Sequence, residues 1–358
     1  MRVEVTFLVP STTRAIGGVI SLYEFANGLS RRGNRVVLVH LPVVDGHITS
    51  LDDVGWFPFD ARIEHRLVAS VDEMQLPPAD CVELTALSFF ADAWPPDALA
   101  RVPREAGRPF LFVQAFRYLA PHIEAAAIRT PCPKLCVAHW MIDSLRKEGI
   151  PEEQLTFVPY GLDHAAYRLT RPIEDRPPQV TMLYNPHPVK GAQFGLDAIA
   201  EVRRRRPDVG AVVFGNREPL VEMPPGVTYV QSPPREVLVD VIYNRSSVFV
   251  CSSLREGFGL CAIEAMAGGC ALVTTANGGS EEYAIPGETG LVCAPRDVTG
   301  MADRIERLLG DDALRVRVAS AGRALVQERY DWDRSARELE QYLDGYAAGG
   351  DASWSDAV

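Results

Sequence analysis

The stretch that most constrains the fold is 252–269, which reads SSLREGFGLCAIEAMAGG. The apolar run Val248–Cys251 precedes it and has the length and composition of a buried parallel strand. Apolar side chains then recur at helical spacing from Leu260 onward. Gly257 and Gly259 lie between the two, where residues without a Cβ let the backbone turn sharply and approach a ligand. The stretch therefore predicts a strand, a tight glycine loop and a helix whose first N–H groups favour phosphate.

Two carboxylates frame this turn. Glu256 lies in the loop, and Glu264 lies on about the third turn of the helix if that helix starts near Gly257. A carboxylate only accepts hydrogen bonds, which suits the two donors of a sugar diol. We interpret Glu264 as the holder of a ribose and Glu256 as the holder of a second sugar, with a diphosphate between them on the amides of Gly257, Phe258, Gly259 and Leu260. The alternative is a solvated helix-surface Glu264 and a helix-capping Glu256.

The pattern resembles the signature of the large retaining glycosyltransferase family four, also called glycosyl transferases group 1. The resemblance rests on Glu256 and Glu264 within EGFGLCAIEAMAGG, followed by Asn277-Gly278-Gly279 and Glu281. It runs from about Tyr160 to Asp333. It implies an α/β chain of GT-B architecture: two doubly wound, Rossmann-like domains facing a cleft, with a C-terminal helix packing back on the first domain.

The resemblance also implies an activity. It is that of a hexosyltransferase-type glycosyltransferase, which moves a sugar from a nucleotide diphosphate sugar to an acceptor hydroxyl with retention of configuration and without a metal. The helix amides and Lys190 would stabilise the leaving diphosphate while Glu256 orients the donor sugar, which makes Lys190 and Glu256 the predicted catalytic residues. The single Asp-x-Asp, Asp331-Trp332-Asp333, stands at a predicted helix start and suits a cap. We therefore expect no metal and no cofactor besides the nucleotide sugar as co-substrate.

Composition and charge limit the partners. A chain of 358 residues exceeds one ordinary core, and 47% hydrophobic with 23% charged residues is typical of a soluble globular protein. A net charge of −11 argues against nucleic acid and anionic membranes. We expect a nucleotide sugar and a small-molecule, glycan or glycolipid acceptor, no nucleic acid and no integral membrane segment. Seven scattered cysteines and a strand-like start without a cleavage pattern favour a cytoplasmic location.

The domain boundaries follow from a hydrophilic, proline-bearing linker after residue 163. We predict an N-terminal acceptor-binding Rossmann-like domain at 1–165 and a nucleotide-sugar-binding Rossmann-like domain at 166–330. A C-terminal helix at 331–348 would cross back to the first domain, and 349–358 would form a disordered tail.

A glycine pair follows the first predicted strand, Val3–Val9. Gly17 and Gly18 precede an amphipathic segment, at the strand end where ligands of open parallel sheets collect. The full GxGxxG pattern is absent, which excludes an NAD site of that kind. The pair is either a tight turn alone or, as the resemblance implies, a contact to the donor phosphates.

Two further side chains of the first domain are candidates for binding acceptor or sugar. Gln114 ends the predicted strand 109–114, where many family members carry a histidine, and His139 follows another strand, where the family usually has a serine. Their structural alternatives are a buried glutamine with backbone partners and a structural histidine.

The second domain opens with a predicted strand, Val180–Tyr184, and a loop that ends in Lys190 and Gly191. Lys190 matches a family lysine that contacts the donor diphosphate, whereas Asn185 replaces the family's arginine. Arg217, after the next strand, is the predicted replacement cation. The alternative for Lys190 is a solvated lysine at a helix start.

Three other functions stay open at this point. A phosphorylase or a nucleotide-sugar epimerase would share the diphosphate site, although an added phosphate would need more cations than the sequence offers. A catalytically silent nucleotide-sugar-binding subunit would explain the departures at Asn185 and Gln114.

Overall fold

Two parallel sheets organise the residues that the computed structural model describes, which are 2–13, 16–42, 48–69, 74–84, 102–115 and 128–349. The chain divides into domain 1, Met1–Gly161 with Trp332–Val358, and domain 2, Leu162–Asp331. The sequence prediction put this division between residues 165 and 166. The predicted disordered tail lies outside the described residues from residue 350 onward.

Domain 1 is built on a seven-stranded sheet in the order β3-β2-β1-β4-β5-β6-β7, with every neighbouring pair parallel. The strands are β1 Glu4–Ser11, β2 Arg35–Pro42, β3 Glu64–Leu67, β4 Cys81–Glu83, β5 Arg108–Val113, β6 Lys134–Cys136 and β7 Leu155–Phe157. Two helices in this part of the chain are α1 Gly17–Arg31 and α2 His139–Lys147.

The first strand is longer than its sequence predicted. We expected β1 to stop at Pro10, but Pro10 and Ser11 stay in register with Leu41 and Pro42 of β2. On its other side β1 pairs with β4 only as far as Phe7. Pro10 lies beyond Phe7, the last residue of β1 that pairs with β4. Its missing N–H therefore costs no ladder hydrogen bond on the β4 side, and the strand tolerates the proline.

Domain 2 repeats the doubly wound pattern with six parallel strands in the order β10-β9-β8-β11-β12-β13. The strands are β8 Gln179–Leu183, β9 Gly210–Gly215, β10 Val227–Gln231, β11 Val248–Cys251, β12 Ala271–Thr275 and β13 Gly290–Cys293. The helices are α3 Ala192–Arg205, α4 Leu260–Ala267, α5 Val298–Gly310 and α6 Asp312–Arg329. A π-helical segment, Val237–Tyr243, lies between β10 and β11. The chain reverses direction across the sheet between β8 and β11, and such reversals are where open parallel sheets bind ligands.

The last helix, α7 Trp332–Ala347, belongs to domain 1, as the sequence predicted. It lies against α1 so closely that a Cβ on Gly28 would come within 2.4 Å of the Ala336 Cβ. Asn34 Nδ2 also donates to Glu340 Oε1 at 2.6 Å. In the described part of the chain, no helix has both the length and the apolar composition that crossing a bilayer requires.

Two histidines meet inside domain 1. His40 Nε2 on β2 lies 3.0 Å from His65 Nδ1 on β3, and the two rings are stacked. His40 is 1% exposed and also contacts the ring of Tyr23. Burial, together with the smaller effect of the neighbouring His65, lowers the pKa of His40 to about 3. Both rings are therefore held neutral where an unfolded chain would protonate them.

This burial makes the stability of domain 1 sensitive to acid. Below the ordinary histidine pKa near 6.5 the unfolded chain binds a proton that folded His40 does not, so the free energy of unfolding should fall as the pH drops from 7 to 5. The loss from His40 alone should reach about 2 kcal/mol at pH 5. Urea unfolding followed by tryptophan fluorescence isolates domain 1, because all five tryptophans lie in its sequence. In His40→Phe the difference between pH 7 and pH 5 should shrink; an unchanged difference would contradict the assignment.

Candidate functional site

Two loops of domain 2 meet at the reversal of its sheet. They are 184–191 after β8 and 252–259 after β11, and their strands pair directly. Leu254 N donates to Val189 O at 2.7 Å, which ties one loop to the other. Gly191 adopts a φ of +57°, and a Cβ there would lie 2.3 Å from the Ser252 carbonyl oxygen. Only glycine permits this approach, which carries Lys190 toward the β11 loop.

Lys190 and Glu256 form an ion pair. Lys190 Nζ lies 2.6 Å from Glu256 Oε2, and Ser253 Oγ donates to Glu256 Oε1 at 2.6 Å. The side chains are 24% and 13% exposed, so solvent reaches both groups. The sequence assigned Lys190 to the diphosphate of a ligand and Glu256 to its sugar. In the structure the two side chains bond to each other. Sequence reasoning missed Ser253, whose only signal was its place three residues before Glu256.

The loop after β12 fixes the backbone of Glu256. Glu256 N donates to Asn277 O at 2.9 Å, and Gly279 N donates to Glu256 O at 3.2 Å. A Cβ on Gly279 would lie 2.5 Å from Phe258 O, so the two loops are in contact. The Asn277-Gly278-Gly279 stretch thus holds the glutamate loop by its main chain, while Glu281 is exposed.

The central helix starts later than predicted. Gly259 has a φ of +101°, a left-handed conformation that a right-handed helix cannot include, so α4 begins at Leu260 instead of near Gly257. Glu264 consequently lies on the second turn and not on the third. A Cβ on Gly259 would lie 2.4 Å from the hydroxyl of Tyr283, which braces this turn.

Gly257 and Phe258 lie in the loop that leads to α4, and both are buried. The Phe258 ring packs at right angles to the ring of Tyr330, with centroids 5.2 Å apart. Its carbonyl accepts from the Tyr283 hydroxyl at 3.0 Å. The side chain of Phe258 therefore belongs to the core, and a ligand at this turn would meet main chain.

Glu264 lies in a different environment from Glu256. Its Oε2 accepts from the Tyr243 hydroxyl at 2.9 Å, and Tyr167 and Cys261 also form side-chain hydrogen bonds with it. Burial raises the pKa of Glu264, and these hydrogen bonds act in the opposite direction. The carboxylate is held by neighbouring hydroxyls, in contrast to a solvated residue on a helix surface.

The loop before Lys190 is shaped by its own side chains. Asn185 Oδ1 accepts from His187 N at 2.9 Å, and His187 Nδ1 accepts from Val189 N at 3.3 Å. Asn185, at the place of the family's arginine, thus closes a turn and supplies no charge. Sequence reasoning missed His187, whose position before a proline at a turn start was the available signal. Arg217 is exposed after β9, and its carbonyl accepts from the Tyr229 hydroxyl.

The structure brings together only some of the ligand-binding residues that the sequence predicted in domain 1. Gly17 and Gly18 form the first turn of α1, and a Cβ on Gly18 would lie 2.4 Å from Gln114 Oε1. Both amide atoms of Gln114 are buried without a hydrogen-bond partner among the described residues, contrary to the alternative with backbone partners. His139 begins α2 and stacks on Phe157, with ring centroids 3.9 Å apart.

The cysteines and carboxylates do not assemble a metal centre in the described ranges. No three side chains of histidine, cysteine, aspartate or glutamate come together there as metal ligands do. All seven cysteines carry free thiols, and burial raises the pKa of those at 81, 132 and 136 to about 12. These thiols are packed in the interior and are poor nucleophiles.

Sequence comparison relates domain 2 to known glycosyltransferases. Residues 166–325 match the family described as Glycosyl transferases group 1. A glycogen synthase of Mycobacterium tuberculosis is 41% identical over 100 residues, which are 28% of this chain and 24% of that protein. The chain thus spans about a quarter of the length of this relative.

Structural comparison extends over nearly the whole chain. Sucrose-phosphate synthase from Thermosynechococcus elongatus has a TM-score of 0.76 at 17% identity, covering 97% of this chain and all of that one. The HepE protein of Anabaena, in complex with UDP-glucose, has a TM-score of 0.74 at 16% identity, covering 96% and 100%. At such identities the likeness shows the fold, which is the GT-B fold expected from the sequence. The chain has this fold, and its residues 166–325 match the family described as Glycosyl transferases group 1.

Proposed function

We propose that this protein is a hexosyltransferase-type glycosyltransferase. It transfers a sugar from a nucleotide diphosphate sugar to an acceptor hydroxyl, with retention of configuration and without a metal or other cofactor. The observation that carries the proposal is the meeting of Lys190 and Glu256 at the reversal of the domain 2 sheet, beside the start of α4. The related HepE protein in complex with UDP-glucose supports a donor of this class.

In this proposal the donor diphosphate binds the main-chain N–H groups of Gly257, Phe258, Gly259 and Leu260. A helix start presents N–H groups and the positive end of the helix dipole, which together favour an anion. Lys190 adds an ammonium group within reach of the same turn, since it bonds Glu256 one residue before Gly257. Charge that develops on the leaving diphosphate is stabilised by these groups.

The two glutamates hold the two sugars of the donor. Glu264 binds the ribose: Tyr243, Tyr167 and Cys261 form three hydrogen bonds with its carboxylate, which has about four acceptor positions in all. Glu256 orients the transferred sugar.

Two further residues of domain 2 act on the diphosphate. Asn185 shapes the loop before Lys190, and Arg217, which follows β9, supplies a second cation.

Domain 1 contributes the groups that bind the acceptor or the transferred sugar. Gln114 offers an amide donor and an amide acceptor, and its amide atoms are without partners among the described residues, an arrangement suited to sugar hydroxyls. Gly18 leaves room for that amide because any Cβ at this position would displace it. His139 is a second candidate for this task. The acceptor is a small molecule, a glycan or a glycolipid.

The first prediction concerns the donor nucleotide. In a thermal-shift screen of UDP, GDP, ADP and dTDP, one nucleoside diphosphate should stabilise the wild type with or without magnesium. Glu264→Ala should lose most of this shift, because it removes the ribose acceptor. Glu288→Ala is the matched control, since Glu288 is exposed and lies two residues before β13, an edge strand of the domain 2 sheet.

The screen, together with measurements of hydrolysis and transfer, separates the candidate functions. Absence of a shift with every nucleotide would refute the donor site. A shift that needs magnesium would refute metal independence. Nucleotide binding without hydrolysis or transfer of the nucleotide sugar would favour the silent-subunit function, to which the uncharged turn at Asn185 also points. Transfer, with the product's anomeric configuration read by NMR, would test retention.

The second prediction tests the contact between Glu264 and the ribose directly. The ribonucleotide selected in the screen and its 2′-deoxy form are titrated into wild type and Glu264→Ala by calorimetry. The substitution should weaken the ribonucleotide about tenfold and the deoxynucleotide much less, since the deoxy form already lacks one hydroxyl donor. Equal losses for both ligands would show that Glu264 acts on the fold of the site and not on the ribose.

A further inference from the structure

Lys190 and Glu256 are each other's partner, although a nucleotide sugar would use them for different groups. Lys190 Nζ bonds Glu256 Oε2 at 2.6 Å, and the other carboxylate oxygen accepts from Ser253 at 2.6 Å. The diphosphate and Glu256 are both anions, so they compete for one ammonium group. Any ligand that draws Lys190 toward a diphosphate weakens the pairing of Glu256.

The cost of that exchange depends on what else the ligand offers. The Glu256 side chain is only 13% exposed, and a partly buried carboxylate that loses its cation is destabilised unless other donors replace it. The hydroxyls of a donor sugar can supply such hydrogen bonds to Oε2. A nucleoside diphosphate has no sugar at this position. The negative charge of the diphosphate then lies next to a Glu256 carboxylate that has lost its cation.

We propose that Glu256 is a specificity residue that discriminates the complete nucleotide sugar from the nucleoside diphosphate, by competing with the diphosphate for Lys190. The inference rests on the proposed function and deepens it. The sugar-bearing donor offsets the loss of the ion pair, while the product of transfer does not. The ion pair of Lys190 and Glu256 therefore favours binding of the nucleotide sugar and release of the nucleoside diphosphate.

The test measures two ligands on four proteins. UDP and UDP-glucose, or GDP and GDP-mannose if GDP is selected by the screen, are titrated by calorimetry into wild type, Glu256→Gln, Lys190→Met and the double variant. Glu256→Gln keeps the shape and the hydrogen-bonding oxygen of the side chain but removes the charge that competes for Lys190. It should bind the nucleoside diphosphate about tenfold more tightly, and the preference for the nucleotide sugar should fall by a similar factor.

The double variant identifies the cause. If Glu256 acts by competing for Lys190, the tighter binding of the diphosphate in Glu256→Gln should disappear in the Lys190→Met background. An equal gain in both backgrounds would show plain repulsion between Glu256 and the diphosphate and would overturn the proposal. Weaker or unchanged diphosphate binding in Glu256→Gln would overturn it as well.

Two controls keep these outcomes separate from other failures. Glu288→Gln removes an exposed carboxylate of the same domain and should leave both affinities unchanged. Circular dichroism melting of each variant establishes that the fold is retained. If the wild type binds no nucleotide, the proposed function itself fails; if it binds but Glu256→Gln leaves the ligand preference intact, only the present inference fails.

Discussion

The close contact between the loops after β8 and β11 is the constraint on which the rest of the site depends. Parallel pairing of β8 with β11 brings the carboxyl ends of both strands to one edge. Gly191, in its left-handed conformation, then passes within van der Waals reach of Ser252, where no other residue would fit. The approach lets Lys190 bond a carboxylate that lies 66 residues later in the chain. Without it, the cation and the glutamate would serve separate loops.

Helix α4, which follows Glu256 and carries Glu264, is anchored at both ends. At its start, the hydroxyl of Tyr283 bonds the Phe258 carbonyl and lies over Gly259. At its end, the buried guanidinium of Arg176 donates to the carbonyl of Gly268 and to that of Tyr243. The bonds from Arg176 satisfy carbonyl groups at the ends of α4 and of the π-helical segment that would otherwise be left without partners. They also fix two carboxylates in unlike surroundings, Glu256 against an ammonium group and Glu264 against tyrosine hydroxyls.

Much of the fold was readable because most buried parallel strands are continuous apolar runs. The strand at 248–251 was predicted with its observed bounds, and those at 3–9, 109–114 and 180–184 were predicted within two residues of the bounds of β1, β5 and β8. The prediction missed β3, Glu64–Leu67, because an edge strand with polar, partly exposed side chains carries no such run. It misplaced the start of α4 because the backbone angle of Gly259 is set by the packing of Tyr283, a residue 24 positions away.

The sequence by itself determined the chemistry available to the site: the strand–loop–helix order around 252–269, a lysine in one loop and two glutamates flanking another. Only the tertiary structure decided the partners. The ion pair of Lys190 with Glu256, the hydrogen bond from Ser253 and the turn closed by Asn185 all depend on distances that local sequence does not encode. The pairing of β8 with β11 sets those distances, because it fixes which strand ends are neighbours and therefore which side chains can meet.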